Sequence, residues 1–487
     1  MGLLGRQYPA GAGLAAAQRA QIMASERPNF LVIMTDQQRG DCLSAAGHPV
    51  LLTPNMDAIG GAGVRFSRAY STCPVCVPAR RSFLTGQHPS THGVYNNSNI
   101  EWQGPSLPGV LRDAGYQTEW VGRGMHQTPP DKRYGFEHMV YKDHRVEDDY
   151  DAFIAGRQVG GGGYYGTGVM HNDWTARPWH MDESLHATNW TVQEALNFLD
   201  RRDTSCPFFL VASILAPHPP LVPPAFYFER YLRQELPPPV IGDWADPPAN
   251  GGIGSDASAD RVDLKGEMLR SAQAGYFGLI NHIDDQIRRL LNPVDGVQRR
   301  TGGNTVVVFV SDHGEMLGDH YRWRKSLPYE GSAHIPLMFA APQRFGLRQG
   351  AVEASPVCIE DIMPTVLDMA GVDCPQGVDG HSLLPLLRGE AELGRPYLHI
   401  ETAPTFQCLT DGREKFIWYA DDGHEEFFDL SSDPGEQYNL TAATDWAERI
   451  AWWRGELIEV LRRRSEGFVD GDALVPGRPY HGSAQSS

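Results

Sequence analysis

The chain has 487 residues, of which 41% are hydrophobic, 21% charged and 10% aromatic, so it is unlike disordered, fibrous or coiled-coil chains. This length predicts one large domain plus a smaller one. The net charge of −18 repels polyanions over about one Debye length, ~8 Å at physiological salt, so we expect no nucleic-acid partner, and an anionic ligand needs a local positive site.

Residues 1–24 are small and apolar but are interrupted by Arg6 and Arg19, so they lack the unbroken apolar core of a signal peptide. We interpret them as a tag-like or disordered tail. No run of eighteen apolar residues occurs, so we expect no membrane span. An odd number of scattered cysteines argues against a disulfide framework and predicts a reducing, cytoplasmic location. The seven are Cys42, Cys73, Cys76, Cys206, Cys358, Cys374 and Cys408.

Short apolar runs without alternation predict strands that are buried on both faces, as in a parallel sheet covered by helices. These runs are 30–34, 208–214 and 305–310. Helical patterns lie between them, at 55–62, 107–114, 184–201 and 266–291. The first two end at Gly63 and Gly115, in the position where glycine stops a helix. Strands alternating with helices predict an α/β sandwich, a fold class that binds ligands at the carboxyl ends of its strands.

Two stretches rich in glycine or proline, 160–165 and 236–261, predict long surface loops, which we expect to border the functional site. From residue 396 the pattern changes to a small α+β lobe, with strands at 397–401, 415–419 and 426–430 and a helix at 445–464. The polar end of the chain is expected to fray. We therefore divide the chain into a tail (1–24), a large domain (25–395), a lobe (396–465) and a second tail (466–487).

Two polar pairs directly follow predicted buried strands. Asp36 and Gln37 follow the first strand, and Asp312 and His313 follow a later one. Both pairs are expected at the same edge of the sheet, where oxygen and nitrogen donors make a site for a divalent cation. The alternative is that Asp36 and Asp312 only cap helices or lie in turns, which favour such residues.

The segment 76–86 reads CVPARRSFLTG, with Cys76, Pro78, Arg80 and the triplet LTG in the pattern C-x-P-x-R-x-x-x-L-T-G. This pattern is the signature of the cysteine-type sulfatases of the alkaline phosphatase superfamily, which the chain resembles. The resemblance runs from about residue 29 to 464, through TDQ (35–37), APH (216–218), SDHGE (311–315), WRK (323–325) and FDL (428–430). It implies a large, mostly parallel sheet sandwiched by helices, with 25–395 as the catalytic domain.

In that family a formylglycine-generating enzyme oxidises the motif cysteine, so the resemblance implies that Cys76 is the precursor of the nucleophile. One hydroxyl of the hydrated aldehyde attacks sulfur beside the metal, and loss of a proton from the other expels sulfate. A redox or zinc pair of Cys73 and Cys76 is the alternative, but it leaves Pro78 and Arg80 unexplained. Pro78 suits the first turn of a helix, which would place Cys76 at a helix N-terminus, where free N–H groups favour an anion.

The resemblance also implies roles for residues outside the signature. Arg80 resembles the arginine that holds the hydrated formylglycine, and His126 the histidine that assists its proton transfers. His218 resembles the histidine on the leaving-group side, and Lys325 the lysine that binds the transferred group and helps to protonate the departing oxygen. Asn97 resembles a substrate-contacting asparagine of some relatives. The alternative for each histidine and for Lys325 is an ordinary structural residue.

The chain departs from the family at the Lys-x-His motif that contains His126. Gly124 occupies the lysine position, and Arg123 is displaced from it by one residue. Loss of a charged hydrogen bond to sulfate costs about 1.5–3 kcal/mol, unless Arg123 or a loop residue replaces the lysine in binding substrate.

The predicted metal ligands are Asp36, Gln37, Asp312, His313 and residue 76. This combination resembles that of the phosphonate monoester hydrolases and choline sulfatases of the same superfamily. We expect one divalent cation, with Ca²⁺ favoured. Because an imidazole softens the donor set, Mn²⁺ is the main competitor.

The first functional hypothesis is hydrolysis of a small aryl, alkyl or sugar sulfate. The second keeps the nucleophile but takes a phosphonate monoester or a phosphodiester. The third is a non-catalytic binding protein, suggested by the missing lysine but opposed by the site residues that remain. The substrate's organic group depends on loops whose shape the sequence does not fix, and the sequence leaves open whether the chain forms a homo-oligomer.

Overall fold

The computed structural model of the chain describes residues 27–98, 100–102, 104–124, 132–143, 147–157, 160–252, 256–292, 294–402 and 405–478. The strands are β1 (Asn29–Asp36), β2 (Gly63–Phe66), β3 (Ala69–Tyr70), β4 (Gln117–Arg123), β5 (His138–Lys142), β6 (Phe208–Pro217), β7 (Thr305–Ser311), β8 (Leu337–Ala340), β9 (Ala351–Glu353), β10 (Val357–Cys358), β11 (Leu398–Thr402), β12 (Phe406–Thr410), β13 (Glu414–Tyr419), β14 (Glu425–Asp429), β15 (Val469–Asp470) and β16 (Ala473–Leu474). The helices are α1 (Pro54–Gly61), α2 (Cys76–Thr85), α3 (Pro89–His92), α4 (Leu107–Asp113), α5 (Asp149–Gly156), α6 (Ala187–Arg201), α7 (Ala225–Leu232), α8 (Gly266–Leu291), α9 (Val297–Arg300), α10 (Glu330–Ala333), α11 (Ile362–Ala370), α12 (Leu384–Arg388) and α13 (Ala447–Leu461).

Eight strands form a central sheet in the order β5-β4-β6-β1-β7-β8-β2-β9, and β8 alone runs antiparallel to its neighbours. In its middle, Val32 of β1 lies opposite Val211 of β6 and Val308 of β7. Every residue of β6 and β7 is buried, because helices cover both faces. The three predicted strands and the α/β sandwich are therefore confirmed.

The helices divide between the two faces of the sheet. Helices α2, α4, α11 and α12 pack on one face, and α1, α6, α7 and α8 pack on the other. The predicted helix at 266–291 is present with those bounds. The predicted helix at 184–201 is interrupted, because His186 is extended and its ring accepts the backbone N–H of Thr188 as the N-cap of α6. Within the described ranges, no helix is both long and apolar enough to cross a membrane.

Gly63 does not stop a helix as its sequence position predicts. Helix α1 ends at Gly61, and Gly63 is the first residue of β2. A Cβ atom on Gly63 would lie 2.0 Å from the backbone oxygen of Phe339 in the neighbouring strand, so the glycine permits close approach of two strands. Gly115 has a φ of +92°, which is the predicted helix-stop conformation.

The C-terminal part forms a four-stranded antiparallel sheet in the order β11-β12-β13-β14. The sequence predicts three of these strands and misses β12. The predicted frayed tail is wrong for 466–474, because β15 and β16 form a hairpin. Beside the hairpin, buried Phe468 packs edge-on against Trp418. The tail 1–24 lies outside the described residues, and the proposed domain boundaries stay a prediction.

The two loop predictions have different outcomes. In 160–165 the residues Gly163–Tyr165 form a single 3₁₀ turn, and Tyr164 is buried against the rings of Tyr150 and Trp179. This part of the loop is therefore packed against the protein. The stretch 236–261 contains one short 3₁₀ turn, Ala249–Gly252, among its described residues.

A buried lysine attaches the C-terminal sheet to the region that carries the central sheet. Lys415 of β13 is fully buried, and its ammonium contacts Glu436 at 2.6 Å and Glu330 at 2.8 Å. It also donates to the backbone oxygen of Pro328 at 2.9 Å. Burial raises the pKa of Glu436 to about 7, although Lys415 opposes the shift. Lys415 is thus shared by the buried Glu436 and the half-buried Glu330.

We expect the substitution Lys415→Ala to lower the free energy of unfolding by about 3–5 kcal/mol, because it removes the buried cation that Glu436 and Glu330 share. Urea denaturation measures this change. The control is Lys265→Ala, which removes a lysine that is 79% exposed and paired with Asp263; its denaturation midpoint should stay at the wild-type value. Equal midpoints for the two variants would refute the assignment of Lys415 as a required buried partner.

Candidate active site

Two acidic residues meet at the carboxyl edge of the central sheet. Asp36 is the last residue of β1, and Asp312 follows the last residue of β7. Because β1 and β7 are parallel neighbours, their ends bring both carboxylates to the same edge, as predicted. Both side chains are fully buried, so they are not exposed turn residues.

Cys76 lies beside these carboxylates at the first residue of α2. Its Sγ atom is 3.2 Å from Nε2 of His313 and 3.8 Å from Oδ1 of Asp36. One donor atom from each of Asp36, Cys76, Asp312 and His313 lies within 4.8 Å of the others. The structure therefore brings four of the five predicted metal ligands into one buried group and places Cys76 at a helix N-terminus.

Arg80 joins the two carboxylates. Its Nε donates to Asp312 at 2.8 Å, and its Nη2 donates to Asp36 at 3.2 Å. Its Nη1 donates to the hydroxyl of Ser213 at 2.9 Å. Arg80 lies about one turn after Cys76 in α2, so the helix that presents the cysteine also supplies the charge between the two acids.

Arg123, predicted to contact substrate, ends β4 and donates from Nε to Asp36 at 3.1 Å. Burial alone would raise the pKa of Asp36, but the charges of His218, Arg80, Arg123 and Lys325 outweigh burial and hold this pKa well below its ordinary value. Asp36 is therefore ionised at neutral pH. The guanidinium of Arg123 contributes to this effect as a partner of the carboxylate.

The orientation of His313 suits a metal ligand. Its Nδ1 donates to the backbone oxygen of Gly314 at 2.9 Å, which leaves the Nε2 lone pair directed at the acidic group, 3.7 Å from an oxygen of Asp36 and 3.7 Å from one of Asp312. A carbonyl acceptor on the far nitrogen is the usual way to orient a metal-bound imidazole. Two carboxylates and one imidazole fit a divalent cation such as Ca²⁺ or Mn²⁺.

Lys325 reaches the cysteine from the loop that follows β7. Its ammonium donates to Cys76 Sγ at 3.2 Å and to Oε1 of Gln37 at 2.7 Å. Burial and Asp36 raise the pKa of the Cys76 thiol, but Lys325 and His313 outweigh them, so the pKa falls below its ordinary value. The predicted ligand Gln37 thus lies beside the metal group, with its side-chain oxygen bonded to Lys325.

His218 follows β6 and faces the same edge of the sheet. Its backbone N–H donates to the backbone oxygen of Asp36 at 3.1 Å, and its Nδ1 donates to the backbone oxygen of Pro219 at 2.7 Å. Its ring stacks on that of His171, with centroids 4.4 Å apart. Burial, followed by the charge of Lys325, lowers the pKa of His218 well below its ordinary value, so the ring is neutral before an anion binds beside it.

Three predictions outside this group have separate outcomes. Asn97 accepts the backbone N–H of Val77 at 3.0 Å, so it supports the start of the helix that carries the cysteine. His126 lies outside the described residues. Cys73 donates to the backbone oxygen of Tyr95 at 3.4 Å and is not part of the metal group. All seven cysteines lie in described residues and none forms a disulfide.

Sequence reasoning missed Ser213 and His171. Ser213 lies inside the buried strand β6, opposite Met34 of β1, and a serine in an apolar run was its only signal. His171 lies in a stretch without regular structure and belongs to no motif. Both residues are close to the site because of folding rather than sequence spacing.

The comparisons with known proteins agree with this geometry. The family model described as Sulfatase matches residues 28–372, and the model described as N-sulphoglucosamine sulphohydrolase, C-terminal, matches 318–463. The chain is 36% identical to an arylsulfatase of Clostridium perfringens, over 93% of this chain and 98% of that protein. It is 31% identical to a choline-sulfatase of Rhizobium meliloti, over 94% and 93% of the two chains. A phosphonate monoester hydrolase of Agrobacterium radiobacter shares the fold with a TM-score of 0.76 at 24% identity, over 93% of this chain and 100% of that chain.

We expect the purified chain to hold about one divalent ion and the variant Asp312→Ala to hold none, because the substitution removes one of two carboxylate ligands. Elemental analysis after dialysis measures the content. Addition of Ca²⁺ or Mn²⁺ should also raise the melting temperature of the wild type but not of the variant. Asp368→Asn, at an exposed helix position, is the control. Wild-type metal content in Asp312→Ala would disprove the site.

Proposed function

Because the chain belongs to the sulfatase family, we propose that it hydrolyses sulfate monoesters with a nucleophile derived from Cys76. The products are sulfate and an alcohol, and the substrate is a small aryl, alkyl or sugar sulfate. The observation that carries the proposal is the position of Cys76, at a helix N-terminus and 3.2 Å from both Lys325 and His313. The named activities of the arylsulfatase and choline-sulfatase relatives support the same chemistry.

We propose that residue 76 works as formylglycine, so the Cys76 thiol stands in for the two hydroxyls of the hydrated aldehyde. One hydroxyl serves as the nucleophile, and the other allows the aldehyde to be regenerated. Asp36, Asp312, His313 and residue 76 would hold one Ca²⁺ or Mn²⁺. When bound, the cation supplies Lewis-acid polarisation and favours the ionised hydroxyl.

The chain's own cations organise the transferred group. Lys325 is bonded both to Gln37 and to the nucleophile position, so an anion that approaches residue 76 meets its ammonium. The N-terminal end of α2 lies at the same place, and its helix dipole favours negative charge there. Arg80 holds the two carboxylates through two of its donors and is itself held by Ser213 through the third, which prevents the carboxylates from turning toward the incoming anion.

His218 acts on the leaving-group side in this proposal. Its Nδ1 is bonded to Pro219, so the ring has one orientation and only Nε2 is available for proton exchange. An anionic ester bound beside His218 would raise the pKa of its ring, so that Nε2 can carry a proton, while Lys325 supplies a positive charge at residue 76. Together they would stabilise the negative charge that develops when the ester bond breaks.

A phosphonate monoester or phosphodiester is the second candidate substrate. The fold shared with a phosphonate monoester hydrolase supports it, because the same nucleophile can attack phosphorus. A non-catalytic binding protein is a third candidate, motivated by Gly124 in place of a lysine. Parallel kinetics with an aryl sulfate, a phosphodiester and a phosphonate monoester distinguish the three.

We expect Cys76 to carry an aldehyde when the chain is made together with a formylglycine-generating enzyme. Mass spectrometry of the tryptic peptide 69–80 detects the change, and Cys76→Ala should eliminate hydrolysis of the aryl sulfate. Cys73→Ala is the matched control, because Cys73 lies outside the metal group. Fully active protein with unmodified Cys76 would exclude the proposed nucleophile.

We expect His218→Ala to slow an alkyl sulfate by about 10²–10⁴-fold and a nitrophenyl sulfate far less, because nitrophenolate leaves without a proton. Lys325→Ala should slow both substrates, since Lys325 also binds the transferred group. The measurement is kcat at saturating substrate, with chemistry shown to limit the rate. An equal slowing of both esters by His218→Ala would contradict the leaving-group role.

A further inference from the structure

We infer that Glu315 is a positioning residue that determines which end of the Gln37 amide faces Lys325. Glu315 lies four residues after Ser311, the end of β7, and its side chain is almost completely buried. It does not belong to the metal group. Its contacts nevertheless connect it to Lys325 by two routes, one through the side chain of Gln37 and one through the backbone.

The first route is a chain of hydrogen bonds. Oε2 of Glu315 accepts from Nε2 of Gln37, whose Oε1 accepts from the ammonium of Lys325 at 2.7 Å. Both oxygens of Glu315 accept hydrogen bonds and the ammonium of Lys325 can only donate, so Gln37 presents its NH₂ group to Glu315. The amide oxygen then faces Lys325. If the Gln37 amide were reversed, its NH₂ group would face the ammonium of Lys325, which is also a donor. Its oxygen would face the carboxylate of Glu315, which is also an acceptor.

The second route runs through the main chain. Oε1 of Glu315 accepts the backbone N–H of Leu317 at 2.9 Å and also that of Arg324. Arg324 directly precedes Lys325. The carboxylate of Glu315 therefore fixes the backbone next to Lys325 and also Gln37, which accepts from the Lys325 ammonium. Both oxygens of Glu315 are therefore committed to placing Lys325 at 3.2 Å from residue 76.

The backbone of Gln37 is fixed independently of Glu315. Its N–H donates to Asp312 at 3.1 Å, and its carbonyl oxygen accepts from the hydroxyl of Tyr276 at 2.7 Å. Its φ is +72°, an uncommon value for a residue other than glycine. With the backbone fixed, the orientation of the side-chain amide depends on its two polar neighbours, Glu315 and Lys325.

The variant Glu315→Gln tests this inference with the full-length, metal-loaded protein. The new amide keeps its oxygen on the two backbone N–H groups and turns its NH₂ toward Gln37, which must rotate and present its own NH₂ to Lys325. On the basis of the proposed sulfatase function, kcat should fall about 10–100-fold, more for an alkyl than for a nitrophenyl sulfate. Glu426→Gln, a substitution at an equally buried acid of β14, should leave kcat unchanged.

A second change separates positioning from a general effect on folding. In the double variant Glu315→Gln/Gln37→Glu, the NH₂ of residue 315 faces a carboxylate, whose other oxygen accepts from Lys325. The complementary order of donors and acceptors is restored, and kcat for the alkyl ester should recover at least tenfold from the single variant. A double variant no faster than Glu315→Gln would overturn the inference.

The position of Lys325 provides a readout that does not depend on turnover. In a crystal structure of Glu315→Gln, the ammonium should lie beyond hydrogen-bond reach of residue 76, and it should return in the double variant. An ammonium that stays in place in Glu315→Gln would overturn the inference. If the wild type hydrolyses none of the esters, the proposed function fails, while these two structures still decide the role of Glu315.

Discussion

Arg80 connects two carboxylates that are completely buried and lie at the ends of neighbouring strands. Without a cation between them, Asp36 and Asp312 would repel each other in a region that water does not reach, and one of them would take up a proton. Arg80 can bridge them only if α2 begins at Cys76, one turn earlier. The geometry that stabilises the two acids is therefore the same geometry that places Cys76 beside them.

The other cations of the site are also paired with groups of the protein. Arg123 contacts Asp36, and Lys325 contacts Gln37 and Cys76, so each positive group has a partner within the protein. Pairing of this kind holds the side chains in place before substrate binds, which reduces the reorganisation needed during reaction. It also means that removing one cation changes the charge balance of several neighbours, and single substitutions here are not expected to be additive.

The sequence predicts those parts of the fold and site that depend on local pattern. Buried strands are continuous apolar runs, and polar residues directly after them must lie at one edge, so the meeting of Asp36 with Asp312 follows from β1 and β7 alone. The contact of Arg80 with Ser213 does not follow, because it depends on β6 being the neighbour of β1. Gly63 was misread for a similar reason: only the position of β8 reveals why a side chain is excluded there.

The lysine of the family's Lys-x-His motif is missing here, and sequence spacing does not identify a cation in its place. Gly124 has no side chain to offer, and the adjacent Arg123 contacts Asp36. Lys142 of β5 lies opposite Arg123 in the sheet, but its ammonium is 3.6 Å from Asp148 and lies over two tyrosine rings at 4.6 and 4.7 Å. Burial lowers the pKa of Lys142, although Asp148 opposes the shift. A positive charge is thus present one strand away, and its partners in the structure are an aspartate and two aromatic rings, so its place beside Arg123 follows from the pairing of β5 with β4 and from no motif.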